Sequence, residues 1–245
     1  MKKKVLATFF LILCLAMAFL PALLQAAEEL VILHTNDLHG VSLARLGTLL
    51  ELQREDHPEL VWIDAGDLFS GTPVSSLFKG EAEQKAILAL GVDARAVGNH
   101  DFDYGLDVLV RSQKAGLPCL AANILMDDGT SLFPPYLLKQ VGDTRLLIVG
   151  LTTTATPRMS FPEHVTGLSF ADPAATLEKI LRRERGNYDV CIVLSHLGYG
   201  EDLLLAQKVP GITAIVGGHS HTILQRPVRI ADTLITQAGS SARYL

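Results

Sequence analysis

The 245-residue sequence has few cysteines, few aromatic residues and no surplus of positive charge. Its three cysteines include no Cys-x-x-Cys pair, which excludes a zinc–thiolate site. The net charge of −5 offers no basic field to a nucleic-acid polymer, and aromatic residues, at 6%, are scattered as in a core. A hydrophobic content of 49% excludes a disordered chain. These properties indicate a folded, acidic protein.

A long hydrophobic run occurs at the N-terminus. Lys2 to Lys4 form a positive segment, Val5 to Leu24 carry no charge, and the small residues Ala26 and Ala27 follow. This layout predicts a signal peptide over residues 1–26, with cleavage after Ala26 or Ala27. The alternative is an uncleaved membrane anchor, because a run of this length can span a bilayer. In both cases we expect an exported protein, periplasmic or extracellular, with membrane contact only through an uncleaved segment.

Residues 27–245 are predicted to form an α/β domain, because short β-branched runs alternate with segments of helical period. The predicted strands are Leu30–His34, Leu60–Asp64, Ala94–Val97, Cys119–Asn123, Arg145–Leu151, Val190–Leu194 and Ile212–Val216. The predicted helices are Leu43–Gln53, Val74–Leu90, Leu106–Ala115 and Pro173–Arg185, the last with Asp172 as N-cap. Hairpin-like alternation near Gly142 and over 226–237 predicts antiparallel strands added to a partly parallel sheet.

Two cysteines, Cys119 and Cys191, lie in apolar predicted strands. Burial as free thiols is the simplest interpretation. An oxidising compartment also permits a disulfide, and the sequence cannot place the two Cα atoms, so their pairing stays open.

Polar side chains follow five of the predicted strands, at the point where each strand ends. Ligands of open α/β sheets bind in the crevice beyond the carboxyl ends of the strands, so we expect the five clusters to converge there. The side chains able to bind a metal are Asp37, His39, Asp67, Asn99, His196, His219 and His221.

This candidate set mixes carboxylate, imidazole and amide groups without thiolates. It suits Mn, Zn, Co or Fe, and it is too large for one tetrahedral ion but fits two ions that share a bridging carboxylate. Two such ions indicate hydrolysis of a phosphoester by a metal-bridged hydroxide. The identity of the metal stays open, because availability often decides among these ions.

Each cluster alone has an ordinary explanation. An aspartate after a strand, such as Asp37, is more often a helix N-cap, and Asn99-His100 can be a left-handed turn. A single histidine after a buried strand, such as His196, is usually a hydrogen-bonded core residue. The joint occurrence of five clusters, each with side chains able to bind metal, favours a metal centre.

Longer strings around these residues add a further signal. They are Ile32-Leu33-His34-Thr35-Asn36-Asp37-Leu38-His39-Gly40, Asp64-Ala65-Gly66-Asp67, Gly98-Asn99-His100-Asp101-Phe102-Asp103-Tyr104-Gly105, Leu194-Ser195-His196-Leu197-Gly198 and Gly218-His219-Ser220-His221. Together they resemble the calcineurin-like metallophosphoesterase superfamily. Within it they resemble the exported 5′-nucleotidase family, which includes 2′,3′-cyclic-nucleotide phosphodiesterases and UDP-sugar hydrolases. The resemblance runs from about Leu30 to the C-terminus.

The resemblance implies a role for each residue. One metal would be held by Asp37, His39, Asp67 and His221, and the second by Asp67, Asn99, His196 and His219, with Asp67 bridging. His100 would be the catalytic histidine, which stabilises the phosphoryl oxygens or protonates the leaving alkoxide. A histidine that donates a proton needs an acceptor on its other nitrogen; Asp101 or Asp103 can supply it, and the family position favours Asp103.

The resemblance also implies a four-layer αββα sandwich with mixed sheets. Family members carry a separate C-terminal domain that recognises the nucleotide, and we expect that domain to be absent from a chain ending at Leu245. The leading hypothesis is a dinuclear metal-dependent phosphohydrolase acting on a small-molecule nucleotide or related phosphoester. The alternatives are the same centre acting on a cyclic phosphodiester, a UDP-sugar or a thiosulfate ester, and a truncated, inactive metal-binding fragment. The oligomeric state stays open.

Overall fold

A computed structural model describes residues 29–244, so the predicted signal peptide lies outside the described residues. The strands are β1 Ile32–Thr35, β2 Val61–Asp64, β3 Ala94–Ala96, β4 Cys119–Leu120, β5 Ile124–Met126, β6 Tyr136–Val141, β7 Thr144–Thr152, β8 Leu168–Phe170, β9 Val190–His196, β10 Ala214–Gly217, β11 Val228–Ile230 and β12 Thr233–Thr236. The α-helices are α1 Ala44–Asp56, α2 Pro73–Phe78, α3 Glu81–Ala89, α4 Leu106–Lys114, α5 Thr156–Met159, α6 Pro173–Arg183 and α7 Tyr199–Lys208. None of the helices within 29–244 is long and apolar enough to cross a bilayer.

Two main sheets form the centre of the fold. The first is wholly parallel, in the order β1-β2-β3-β4. The second has the order β11-β12-β10-β9-β7-β6, with parallel central strands and antiparallel pairs at both edges. Those edge pairs are the hairpins that the sequence predicts, and the β6–β7 turn lies at Gly142 and Asp143. A short antiparallel ladder joins β5 to β8.

The two sheets pack face to face and each carries helices on its outer face. Alternate residues of β2 show this arrangement, because Trp62 packs with α1 and α4 whereas Val61 and Ile63 pack in the core between the sheets. In β7, Leu146 contributes to the core between the sheets and Leu147 to the core under α6 and α7. The layer order is therefore helix, sheet, sheet, helix. The predicted αββα sandwich with mixed sheets is confirmed.

The prediction of one helix over Val74–Leu90 is wrong in one respect, because the structure has two helices there, α2 and α3. It breaks at Lys79 and Gly80, which both have left-handed backbones with φ of 48° and 79°. Gly80 has to be glycine here: a Cβ at that position would lie 2.3 Å from the Phe69 ring. The packing of Phe69 therefore requires glycine at the junction of the two helices.

The start of α6 matches its prediction. Asp172 is the N-cap, and its Oδ1 accepts a hydrogen bond from the Ala175 N–H at 2.7 Å, with Pro173 in the first turn. The sequence reasoning missed α7, which begins after Gly198 and contains Gly200, a residue with low helix propensity.

Cys119 and Cys191 are both buried and free. Cys119 lies in the core between the first sheet and its helices, and Cys191 lies in the core of the second sheet. The two sheets separate the thiols, so the structure answers the question that the sequence left open: this pair forms no disulfide.

Candidate metal centre

The carboxyl ends of five parallel strands meet at one place on the molecule. Three of the strands, β1, β2 and β3, belong to the first sheet, and β9 and β10 belong to the second. The loops after these strands bring all seven predicted ligands together with His100 and Asp103. The site thus lies where the edges of the two sheets face each other.

Five of the predicted ligands have a left-handed backbone, which is uncommon for residues other than glycine. The φ angles are 51° at Asp37, 50° at His39, 57° at Asp67, 71° at His219 and 52° at His221. Such conformations cost about 1–3 kcal/mol each and persist only where the surroundings impose them. Backbone hydrogen bonds hold the first loop, because Asp37 N–H donates to Gly66 O at 2.9 Å and His39 N–H to Asp67 O at 3.0 Å.

One compact group consists of Asp37, His39 and His221, whose ligand atoms lie within 4.8 Å of one another. The His221 Nε2 atom is 3.2 Å from Asp37 Oδ1 and 3.1 Å from His39 Nε2. The imidazoles of His39 and His221 and the buried carboxylate of Asp37 therefore face a common centre, which suits a borderline divalent cation.

A second compact group consists of Asp37, Asp67 and His196. The His196 Nε2 atom is 3.1 Å from Asp67 Oδ2. His196 Nδ1 lies 2.7 Å from the Ala65 carbonyl oxygen, to which it donates, so Nε2 is the ring nitrogen that faces the site. His219 packs edge-on against His196, with ring centroids 5.2 Å apart.

Unsatisfied buried atoms test whether a metal fits this second group. Within residues 29–244, Asn99 Oδ1 is buried without a hydrogen-bond partner, and the buried His196 Nε2 faces the Asp67 carboxylate at 3.1 Å. Buried polar atoms are rarely left unpaired, and Asn99 is one of the predicted ligands of the second ion, together with His196. An amide oxygen and an imidazole nitrogen are suitable donors for a divalent cation. Asn99 and His196 therefore suit a divalent metal ion at this position.

Asp37 belongs to both groups, and Asp67, a member of the second, also approaches a histidine of the first. Its Oδ2 is 3.1 Å from His196 Nε2 and 3.9 Å from His39 Nε2, and its Oδ1 accepts the backbone N–H of His100 at 2.8 Å. Although burial acts in the opposite direction, the adjacent His196 holds the pKa of Asp67 well below its usual range. Likewise, although burial lowers it, Asp67 raises the pKa of His196 to about 10, so the metal-free pair is ionic. A metal ion that binds His196 Nε2 therefore displaces the proton that this nitrogen holds.

His100 and Asp103 form a pair at the rim of the centre. His100 Nδ1 is 2.8 Å from Asp103 Oδ2, and this hydrogen bond raises the pKa of His100. Asp101, the other acid that the sequence allowed, is turned away and bonds Arg95 instead. The geometry thus selects Asp103 as the partner of His100. The His100 ring is half-exposed and packs edge-on against His39.

Three residues that the sequence reasoning did not assign support the site. Asn36 donates to Asp37 Oδ2 at 2.6 Å and accepts the Ala238 N–H at 2.8 Å. Gln237 donates to Gly218 O at 2.7 Å and accepts from Ser220 Oγ at 2.9 Å and from Thr222 N–H. Arg95 is fully buried behind the loops of Asp67 and Asn99. Asn36 was adjacent to a predicted ligand, but Arg95 and Gln237 carry no local signal of their role.

Comparison with known proteins agrees with this fold and site. Residues 30–222 match the model of the calcineurin-like phosphoesterase family. The chain therefore belongs to the calcineurin-like phosphoesterase family.

Individual relatives narrow the comparison. The chain is 36% identical to the 5′-nucleotidase of Bos taurus over 223 residues, which cover 80% of this chain and 38% of that protein. The crystal structure of a 5′-nucleotidase precursor from Thermus thermophilus superposes with a TM-score of 0.80 at 30% identity, covering 87% of this chain and 49% of that one. The sulfate thiohydrolase SoxB of the same organism superposes with a TM-score of 0.77 at 27% identity, covering 81% of this chain and 38% of that one. The chain spans less than half the length of these relatives.

Proposed function

We propose that the protein is an exported, dinuclear metal-dependent phosphohydrolase that hydrolyses nucleotide phosphoesters. The observation that carries the proposal is the position of Asp67, whose Oδ2 lies 3.1 Å from His196 Nε2 and 3.9 Å from His39 Nε2 and so reaches a histidine of each group. A carboxylate that reaches both sets of ligands can contact two divalent ions at the short spacing of two-metal sites.

The two ions would share the predicted ligands as follows. Asp37, His39 and His221 would hold one, Asn99, His196 and His219 would hold the other, and Asp67 would bridge them. When bound, such ions supply charge neutralisation for a phosphoryl group and lower the pKa of water. His196 is prepared for this role, because the Ala65 carbonyl fixes its Nδ1 proton and leaves Nε2 as the donor atom.

His100 would act on the phosphoryl group and its leaving oxygen. The Asp103 carboxylate accepts a hydrogen bond from the Nδ1–H group of His100. This bond orients the ring and favours its protonated form. Nε2 is then the nitrogen that can donate a hydrogen bond to a phosphoryl oxygen and a proton to the departing alkoxide. Asp103 is therefore a positioning residue in this proposal, and His100 is the catalytic residue.

Nucleotide specificity is proposed from the 5′-nucleotidase relatives. A second candidate substrate is a thiosulfate ester, which the similarity to the sulfate thiohydrolase favours. A nucleoside monophosphate and a thiosulfate ester differ in charge and in the leaving atom, so one substrate panel separates the two candidates.

Steady-state hydrolysis tests the proposal. The full chain, supplied with Mn²⁺, is assayed with AMP, 2′,3′-cyclic AMP, UDP-glucose and a thiosulfate ester, and the Asn99→Ala variant serves as the blank. The proposal expects AMP turnover well above the blank. Turnover confined to the thiosulfate ester supports the second candidate, and no turnover by a folded, metal-loaded protein contradicts both.

Export is proposed from the N-terminal pattern of a positive segment, an uncharged apolar run and small residues. N-terminal sequencing of the protein recovered outside the cytoplasm tests it. A mature protein that begins near Ala27 supports cleavage, a membrane-bound protein that keeps Met1 supports an anchor, and a protein confined to the cytoplasm contradicts export.

A further inference from the structure

A second concave site lies beside the metal centre and is separate from it. A cavity of about 790 Å³ opens between α1, α3 and the loop of residues 40–43 that leaves the first metal-ligand loop. Most of its wall is apolar, including Val41, Leu43, Ala86 and Leu90. Cavities of a few hundred cubic ångströms with apolar walls and few polar groups are typical of small-molecule sites.

Glu83 is the unusual member of this wall. It lies in the first turn of α3 and is only 4% exposed. Its Oε2 atom is buried and has no hydrogen-bond partner in residues 29–244. Lys85, on the same helix, does not neutralise it, because Lys85 pairs with Glu81 at 2.6 Å. A buried carboxylate is normally paired, so this one is a ready acceptor for a group supplied by a ligand.

The charged residues that line the cavity are all acidic. The lining residues include the acids Glu83 and Glu51 and no lysine or arginine. Glu51, at the rim, is exposed to solvent, whereas Glu83 is enclosed. An anion is therefore disfavoured here, and a ligand with a cationic hydrogen-bond donor matches both the charge and the unpaired acceptor.

We propose that this cavity binds a small organic cation, with an ammonium group paired to Glu83 and an apolar body lying against Val41 and Ala86. The site is distinct from the proposed phosphoester centre, where bound metal ions would attract anions. The two share one wall: Gly40 follows His39 directly, and a Cβ at Gly40 would lie 3.0 Å from Glu83 Oε1. Occupancy of the cavity would thus contact the loop that carries a metal ligand.

Binding of two matched probes tests the proposal on the full chain loaded with Mn²⁺. Cyclohexylmethylamine, which is an ammonium ion at pH 7, and cyclohexylmethanol have similar bodies and differ in charge. Isothermal titration measures their affinities, and methyl NMR signals of Val41, Leu43 and Leu90 report where they bind. We expect the ammonium probe to bind the cavity about tenfold or more tightly than the alcohol.

Three variants locate the interaction. Glu83→Gln keeps the size of the side chain and removes its charge, so it should remove the preference for the ammonium probe. Glu51→Gln is the matched control at the exposed rim and should change it by less than about twofold. Ala86→Phe fills the cavity and should weaken both probes. A melting temperature close to that of the wild type shows that each variant is folded.

Other outcomes overturn the proposal. Equal affinity for the two probes, a preference that survives Glu83→Gln, or shifts confined to methyl groups outside the cavity would each contradict a cation site at Glu83. Absence of binding at millimolar probe would contradict it as well. Because the readout is binding, failure here leaves the hydrolase proposal unaffected, and failure of hydrolysis leaves this site unaffected.

Discussion

Arg95 and Asp101 form a fully buried ion pair directly behind the metal centre. The Arg95 Nη2 atom donates to both carboxylate oxygens of Asp101, at 2.8 and 3.0 Å, and neither side chain is exposed. Asp101 also accepts the backbone N–H groups of Gly98 at 2.7 Å, Leu68 at 3.1 Å and Asp67 at 3.3 Å. One carboxylate therefore ties the loop of Asp67 to the loop of Asn99.

Arg95→Met should destabilise the protein by about 3–5 kcal/mol, because it leaves Asp101 buried without its counter-charge. Asp64, whose Oδ1 lies 3.4 Å from Arg95 Nε, loses the same partner. Urea unfolding of the metal-free protein measures the change. The matched control is Arg111→Met, which removes an exposed pair with Asp107 and should cost less than about 1 kcal/mol. Equal effects of the two substitutions would contradict the structural role of Arg95.

Gln237→Met should weaken metal binding about 10- to 100-fold, because side chains that orient metal ligands typically contribute that much. The Gln237 side chain joins Gly218, Ser220 and Thr222, and the segment between them carries His219 and His221. Methionine has similar size but cannot make these bonds. Competition with a chelator of known affinity measures the loss. Gln207→Met, at an exposed position on α7, is the control, and an identical affinity in both variants would refute the positioning role.

Stability should depend on pH through Asp202. Asp202 is fully buried in α7 and accepts a hydrogen bond from Ser195 Oγ. Burial raises its pKa from 3.8 to about 7, although Ser195 and His196 oppose the rise. The folded state therefore holds this proton more tightly than the unfolded chain. The contribution is fully present below about pH 4 and is lost as the pH rises through 7.

Asp202→Asn keeps a neutral group of the same shape and should remove this dependence. Between pH 4 and 7 the wild type should lose stability relative to the variant by about 1.4 kcal/mol per pH unit at most. Urea unfolding of both proteins without metal, at several pH values, measures the difference. Parallel stability curves would mean that Asp202 does not titrate in this range.

His100→Ala should lower kcat by about 10²- to 10⁴-fold while the metal content stays unchanged, because His100 is proposed to transfer a proton and not to bind metal. Asp103→Asn should give a smaller loss, since the ring remains but its Nδ1 partner is weakened. Turnover and metal content are measured on the same samples. His57→Ala, at a position outside the centre, is the control; loss of metal together with turnover in His100→Ala would point to a ligand role instead.

The candidate site was largely predictable from the sequence because of one local pattern. The five parallel strands that lead to the site are mostly apolar, and polar residues follow their carboxyl ends, as at Asp37, Asp67 and Asn99. The topology of parallel strands then brings separate chain segments together without any knowledge of side-chain packing. The histidines of the second sheet follow the same rule.

The parts that were not predictable depend on contacts between distant segments. Arg95 lies in a short strand between two alanines, and its role arises only from the pairing with Asp101 and Asp64. Gln237 follows β12 and acts on a loop that comes about twenty residues earlier in the chain. The requirement for glycine between α2 and α3 depends on the approach of Phe69 to Gly80. Periodicity and motif spacing contain none of these pairings.

The central claim is that Asp67 bridges two metal ions. The most direct measurement is a crystal structure of the protein soaked in Mn²⁺, with anomalous differences collected to locate the ions. The account predicts two peaks on either side of the Asp67 carboxylate, one beside His39 and His221 and the other beside Asn99 and His196. A single peak, or peaks that do not contact Asp67, would contradict it.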